Sequence, residues 1–179
     1  MADTDLLELA RDVDTRCRLR GRFVLRSGQV TGEYFDKYLF ESDPALLQRV
    51  AEQMVGLIPA GTEMLGGLEL GGVPLATMLS QMTGLPTLFI RKAAKEYGTR
   101  RLTEGGDPSG RTMLLVEDVI TTGGAVRNAA TALRSSDATV THVVCAINRS
   151  SPDSDPLSDA GIRIRSVLTK ELLDVTSTP

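Results

Sequence analysis

The chain has no tryptophan, a single histidine and only two cysteines in 179 residues, and aromatic side chains make up just 4% of it. Cys17 and Cys145 sit in no metal-ligand spacing, so a Cys/His metal cluster is excluded and nothing calls for an oxidising compartment. Cys145 lies in an apolar run, which predicts a buried, inert thiol. The lone histidine, His142, has no Ser or Asp partner in a triad pattern and is expected to be structural. Charge of one sign is not in excess: the net charge is −3, which argues against a nucleic-acid-binding surface. No apolar run approaches transmembrane length. Residues 1–10 hold three acids and no base, which does not fit a signal peptide. The expectation is a soluble, cytoplasmic protein with no membrane partner, and the length suits one domain, 1–179, with a sizeable core.

What is present is concentrated at residues 113–125, Met-Leu-Leu-Val-Glu-Asp-Val-Ile-Thr-Thr-Gly-Gly-Ala. The apolar run 113–116 predicts a buried strand. The acids Glu117 and Asp118 follow, then a Thr-Thr-Gly-Gly turn, and then Val126, Ala129, Ala130 and Leu133 at helical spacing. Glycines and hydroxyls ahead of a helix N-terminus suit a phosphate, which backbone N–H groups can hold. Two carboxylates would repel that phosphate, so they suit sugar hydroxyls or a magnesium ion held nearby. Together these elements ask for a sugar phosphate. Abundant glycine, 17 residues, fits a chain that wraps phosphates with backbone.

Around this stretch the pattern alternates. Leu6, Leu7, Ala10 and Val13 predict a first amphipathic helix; 23–25 and 34–40 read as strands around a turn. Asp43-Pro44 marks a helix start, with Leu46, Leu47, Val50, Met54 and Leu57 on its buried face and an end near Pro59. Strands are expected at 64–68, 87–90, 113–116, 140–147 and 162–168, and a helix at 72–82. Strands separated by helices imply a parallel α/β sheet, whose ligands gather at the strands' carboxyl ends. Residues 96–111 show no apolar periodicity and suit a functional lid, and 150–158 a surface loop.

Two further groups stand at strand ends. Arg91-Lys92-Ala93-Ala94-Lys95 leads into the lid, where three cations could neutralise a departing polyanion. Glu69-Leu70-Gly71-Gly72 forms a strand-to-helix loop suited to phosphate oxygens. The G-x-x-x-x-G-R-T run at 105–112 is not a Walker loop: Arg replaces Lys, and the run precedes a strand rather than following one.

The stretch 117–125 resembles the signature of the type I phosphoribosyltransferases, which bind 5-phosphoribosyl-1-pyrophosphate (PRPP). The resemblance implies that fold, a central parallel sheet flanked by helices, with a small hood from the N-terminal segment (mainly 1–40) and a mobile lid (about 96–111). It implies that Glu117 and Asp118 take the ribose and that Val119, Ile120, Thr121, Thr122, Gly123, Gly124 and Ala125 complete the ribose and 5′-phosphate site. Many members carry Ser or Thr where this chain has Ala125.

Residues 21–28 (Gly-Arg-Phe-Val-Leu-Arg-Ser-Gly), 33–40 (Glu-Tyr-Phe-Asp-Lys-Tyr-Leu-Phe) and 91–98 are similar to the orotate phosphoribosyltransferases in particular. Purine-specific members share the signature but not the first two segments. This implies a pentosyltransferase that converts orotate and PRPP to orotidine 5′-monophosphate and pyrophosphate in de novo UMP synthesis, with Mg2+ as cofactor. By the same resemblance Lys95 and Asp118 are catalytic. Glu69, Leu70, Gly71, Arg91, Lys92, Lys95 and Tyr97 meet pyrophosphate. Arg26, Tyr34, Phe35, Thr121 and Arg149 meet orotate. Some relatives have Lys at the position of Gly71, many have His at that of Tyr97, and Arg26 is often Lys. No direct metal ligand is assigned, although Glu117 and Asp118 lie near the ion. A homodimer is implied, the lid of one subunit covering the site of the other. The competing expectations are transfer to a purine or uracil, and a PRPP-binding regulator without turnover.

Overall fold

The computed structural model describes residues 2–25, 27–93, 102–151 and 153–176. A first helix α1 (Ala2–Cys17) leads into a hairpin of β1 (Arg18–Val24) and β2 (Val30–Phe35), a two-stranded antiparallel sheet of its own. There follow α2 (Tyr38–Glu41), α3 (Pro44–Val55), β3 (Met64–Leu68), α4 (Gly72–Thr83), β4 (Thr87–Ile90), β5 (Thr103–Glu104), β6 (Thr112–Ile120), α5 (Gly124–Arg134), β7 (Thr139–Asn148), β8 (Arg163–Thr169) and α6 (Lys170–Thr176). The main sheet has the order β5-β4-β3-β6-β7-β8. Its pairs are parallel except β4–β5, so the expected parallel sheet is in fact mixed at one edge. From β3 the chain steps outward to β4 and β5, then returns to β6 on the other side. That reversal opens a crevice at the carboxyl ends of β3 and β6, where ligands of such sheets bind.

Local chemistry accounts for the elements. Asp43 caps α3, its carboxylate accepting from the N–H groups of Ala45 and Leu46, with Pro44 in the first turn. Leu46, Val50 and Met54 bury one face, but the helix stops at Val55 with Gly56 as cap, short of the expected end near Pro59. One face of the sheet packs on α1, α3, α4 and α6, the other on α5. Glycine decides how closely α4 approaches. A Cβ on Gly72 would lie 2.2 Å from the Val116 carbonyl oxygen, and one on Gly67 2.8 Å from Ala76 Cβ. The start of α4 therefore rests directly on β3 and β6.

Three points differ from expectation, and part of the expected lid is seen in contact with the body. The strand expected at 34–40 ends at Phe35, because Asp36 Oδ1 accepts the Tyr38 N–H and turns the chain into α2, which buries Phe40. The signature strand does not stop at Val116. It pairs with β7 at Glu117↔Cys145, Val119↔Ile147 and Ile120↔Asn148, so the acids lie inside β6. Helix α6 was not expected; Thr169 Oγ1 accepts the Leu172 N–H and Leu173 is buried, a signal too short to separate from the preceding strand. In the segment 102–111, β5 pairs with β4 through Phe89↔Glu104 and Ile90↔Thr103, and the Gly110 N–H donates to the Asp137 carbonyl. This half of the expected lid is tied to the body; residues 94–101 lie outside the described residues.

Arg18 joins the hairpin to both chain ends. Its guanidinium meets Asp14 on α1 at 2.8 Å, Glu33 on β2 at 3.2 Å and Asp174 on α6 at 3.0 Å. Burial pushes the Cys17 thiol up to about 12 and raises Cys145 as well, consistent with inert cysteines. Among the described residues no helix is long and apolar enough to cross a membrane.

Candidate active site

Strand β6 delivers the loop 121–125 to the start of α5. Gly123, the cap residue of α5, has φ +70°, a conformation that favours glycine. It is also covered: a Cβ there would lie 2.6 Å from Leu157 Cδ2. Leu157 is itself fully buried, so the expected surface loop 150–158 braces the phosphate loop from beneath. Gly124 is exposed, with only Thr122 Oγ1 near the place of a Cβ, at 3.9 Å. Residues 121–126 and Glu117 line a cavity of about 190 Å³ over the helix N-terminus. This geometry suits a phosphate received by backbone N–H groups.

The two acids leave β6 toward opposite faces, as successive strand residues do, yet their carboxyl groups still interact. Glu117 lines the loop cavity and is 7% exposed. Asp118 is fully buried on the α4 face, where Lys37 Nζ lies 2.5 Å from its Oδ2. Glu41, at the end of α2, closes the same spot. A Cβ on Gly71 would lie 1.7 Å from Asp118 Oδ2 and 2.6 Å from Glu41 Oε1, so no larger residue fits at 71 here. Among the described residues, Glu41 Oε1 and Asp118 Oδ2 are both buried without a well-directed hydrogen bond, although the two carboxyls and Lys37 act on one another.

The charges settle accordingly. Burial, reinforced by Asp118, pushes Glu41 up to about 8 and Glu117 up to about 9. Burial alone would raise Asp118 too, but the Glu117, Lys37 and Glu41 side chains around it outweigh that and hold it below the usual carboxylate range. Burial works against the Lys37 ammonium, and Asp118 reverses the balance, raising it. The cluster thus holds one carboxylate and one ammonium, with protons on the outer two acids near neutral pH.

A second cavity, of about 220 Å³, opens where β3 and β4 end beside the first turn of α5. Glu69, Arg91 and Lys92 line it together, joined by Ala125 and Asn128. Among the described residues, Arg91 Nε is enclosed there without a hydrogen-bond partner. Gly71 is buried, Leu70 is 58% exposed, and the Glu69–Leu70 peptide is cis. At the far end of β6, the Arg149 N–H donates to the Ile120 carbonyl at 2.7 Å and its guanidinium stands 5.0 Å from the Phe35 ring centroid. Tyr34 lies against Phe23, with ring centroids 5.6 Å apart. Phe35, Arg149 and Thr121 are therefore gathered beside the phosphate loop. Arg26, Lys95 and Tyr97 fall outside the described residues. A larger cavity of about 470 Å³ lies elsewhere, between residues 102–108 and the end of α5.

Sequence reasoning missed Lys37, Glu41, Asn128 and Leu157. Only Asn128 left a usable local signal: it stands three residues after Ala125, on the same face of α5. His142 lies within β7, away from the loop, as a structural histidine should; burial, with Arg165 and Arg163 beside it, lowers its pKa.

The family described as phosphoribosyl transferase domain matches residues 41–164. An orotate phosphoribosyltransferase from Nocardioides sp. is 63% identical over 166 residues, 93% of each chain. One from Methanocella arvoryzae is 38% identical over 172 residues, 96% of this chain and 97% of that one. Among solved structures, Mycobacterium tuberculosis orotate phosphoribosyltransferase in complex with PRPP superposes with a TM-score of 0.79 at 28% identity, covering 95% of this chain and 99% of that one. With a loop for a phosphate, buried acids beside it and cations at the neighbouring strand ends, this chain belongs to the phosphoribosyltransferase family, in the company of its orotate-specific members.

Proposed function

We propose that the protein transfers the 5-phosphoribosyl group from PRPP to N1 of orotate, yielding orotidine 5′-monophosphate and pyrophosphate in de novo UMP synthesis. The observation that carries this reading is the arrangement at the end of β6. There the loop 121–125 and Glu117 share one cavity, and Glu69, Arg91 and Lys92 share the next, across the first turn of α5. A molecule with a phosphate at one end and a pyrophosphate at the other fits that spacing of functions. The 63% identity to an orotate phosphoribosyltransferase supports orotate as the base.

In this reading residues 119–125 receive the 5′-phosphate, Glu117 and Asp118 the ribose, and Glu69, Leu70, Gly71, Arg91, Lys92, Lys95 and Tyr97 the pyrophosphate. Arg26, Tyr34, Phe35, Thr121 and Arg149 surround orotate, whose carboxylate suits a guanidinium. Orotate N1 bonds to the anomeric carbon as the bond to pyrophosphate breaks with its electron pair. The site's task is to align the two and to stabilise positive charge on the ribose and negative charge on the leaving group. The N1 proton passes to water or to the departing pyrophosphate, and no protein general base is assigned.

Among the described residues no group of three or more His, Cys, Asp or Glu forms a metal cage. In this reading Glu117 and Asp118 are the residues that would stand near a bound metal ion. Mg2+, when bound, would offset the charge of the pyrophosphate. We further infer a single cytoplasmic domain, 1–179, with the hairpin as part of a hood over the base and residues 96–111 as a lid, working as a homodimer with shared sites.

Loss of orotate absorbance on adding PRPP and Mg2+ tests the reaction, with adenine, hypoxanthine, guanine and uracil as competitors. Turnover of another base but not orotate would overturn the assignment. For the shared site, Lys95→Ala and Asp118→Asn are mixed under conditions where native mass spectrometry detects subunit exchange. Each is nearly inactive alone, and the heterodimer should recover up to about half of wild-type activity, one intact site of two. Heterodimers without recovered activity would assign each lid to its own chain.

A further inference from the structure

The Lys37–Asp118 contact has no counterpart among the roles assigned so far. Lys37 directly precedes α2, two residues after Phe35, and its ammonium reaches across to the signature strand. Its side chain is 32% exposed while that of Asp118 is wholly buried, at 2.5 Å. Glu41, four residues on, turns its carboxyl to the same point, and Gly71 leaves the room in which the two acids meet. Among the described residues, neither Asp118 Oδ2 nor Glu41 Oε1 gains a well-directed hydrogen bond in return. The pairing offsets the burial of both charges, holding Asp118 low and raising Lys37. It is also a source of orientation: without the ammonium, the buried Asp118 carboxylate would have no counter-charge to hold it over Gly71.

We propose that Lys37 is a positioning residue which, together with Glu41, holds the Asp118 carboxylate over Gly71 and couples the hairpin that ends at Phe35 to the strand that carries the acid pair. The inference rests on Asp118 belonging to the sugar half of the site, as proposed above. Lys37 then acts through Asp118 rather than on substrate. Its loss is harmful because it leaves the buried Asp118 carboxylate without its counter-charge, and once Glu41 ionises, above about pH 8, also opposed by a second carboxylate that Glu41→Gln removes.

The test is a set of variants of the full chain, each checked for folding by circular dichroism. Lys37→Met should lower kcat about tenfold or more, the scale of a small misplacement of a reacting group, while KM for orotate stays within about twofold. Lys37→Arg, which keeps the charge, should restore part of kcat. Assayed at about pH 9, where Glu41 is ionised, the double variant Lys37→Met/Glu41→Gln should turn over several-fold faster than Lys37→Met alone. A lysine that touched pyrophosphate directly would instead raise KM for PRPP and gain nothing from Glu41→Gln. A second measurement needs no substrate: urea unfolding of Lys37→Met, Asp118→Asn and their double variant. The two sites should be coupled, the unfolding constant departing at least about threefold from additivity. Absence of coupling, or absence of rescue by Glu41→Gln in an active protein, overturns the proposal. Wild-type protein that does not consume orotate would overturn the function instead, and the unfolding cycle would still decide the role of Lys37.

Discussion

The two faces of β6 carry two halves of one site, built in opposite ways. On the α5 face the phosphate loop is made of consecutive residues, 121–125, and of backbone. On the α4 face the Asp118 site is assembled from three distant places: Lys37 and Glu41 around α2, Gly71 before α4, and Asp118 itself on β6. The first needs only a turn and a helix N-terminus. The second needs the whole topology, because α2 must fold back onto the sheet before any of its charges meet. A backbone site tolerates changes in side chains that do not block it; an assembled one fails when any contributor moves.

The sharpest way to break this contrast is to add one methyl group on each face. Gly71→Ala would drive a Cβ to within 1.7 Å of Asp118 Oδ2, so the loop or the acid must shift. We expect a fall in turnover of about 10²-fold or more, as for other displacements of about 1 Å in reacting groups. Gly124→Ala meets nothing closer than Thr122 Oγ1 at 3.9 Å and should leave the ligand-free fold unchanged. If Gly71→Ala is as active as wild type, the acids do not pack over Gly71 in the working enzyme.

Next in size is the charge itself. Asp118→Asn preserves the shape of the buried side chain but removes the carboxylate that Lys37 faces. Turnover should fall by about 10²-fold, the loss typical of one preorganised electrostatic contact. Near-normal turnover in a folded variant would remove Asp118 from the sugar half of the site.

The same division explains what the sequence revealed. The loop, the acid pair and α5 were legible because their residues are adjacent, and adjacency with the right period is what a sequence displays. The cap at Asp43, the helix start at Pro44 and the buried run of β3 were legible for the same reason. Strand ends were less so: nothing local says that β6 continues through Glu117 and Asp118, since its extension depends on pairing with β7. Lys37 was hidden more deeply. In the run Asp36-Lys37-Tyr38 it looks like a solvated cation, and only the fold brings it beside a residue 81 positions away. Leu157 was hidden likewise, as an apolar residue in a Ser/Asp/Pro-rich segment whose partner is Gly123.

A third change isolates the backbone half. Gly124→Val would stand in the path of a phosphate while meeting little in the ligand-free chain. Calorimetry should show PRPP affinity reduced by about tenfold or more, while the thermal midpoint stays within about 2 °C of wild type. A variant that lost both together would show that the loop is held by side-chain packing, as the Asp118 side is.

The smallest effect expected is one of pH on stability, and it belongs to the acid pair and Glu41 rather than to the loop 121–125. Glu41 rises from 4.5 to about 8 and Glu117 from 4.5 to about 9, chiefly through burial. Each therefore keeps a proton in the folded chain that it gives up on unfolding. Their contribution to stability is fully present below pH 4.5 and is lost as pH rises through about 8 and 9. Asp118, held low, works in the opposite direction: its contribution is present above the ordinary Asp range and is lost as pH falls through its folded value. The ligand-free protein should thus melt at a lower temperature at about pH 8.5 than at about pH 5.5. Glu41→Gln mimics the protonated acid at every pH and should remove part of that decline. After discounting for partial exposure, the gain is about 1 kcal/mol at the alkaline end, or about 2–4 °C for a chain of this size. Scanning calorimetry at the two pH values measures it. The phosphate loop adds no carboxyl group of its own, so Gly124→Val should melt with the wild-type pH dependence. If Glu41→Gln declines as steeply as wild type, Glu41 is ionised in the folded protein and the division of charge between it and Asp118 is not the one described.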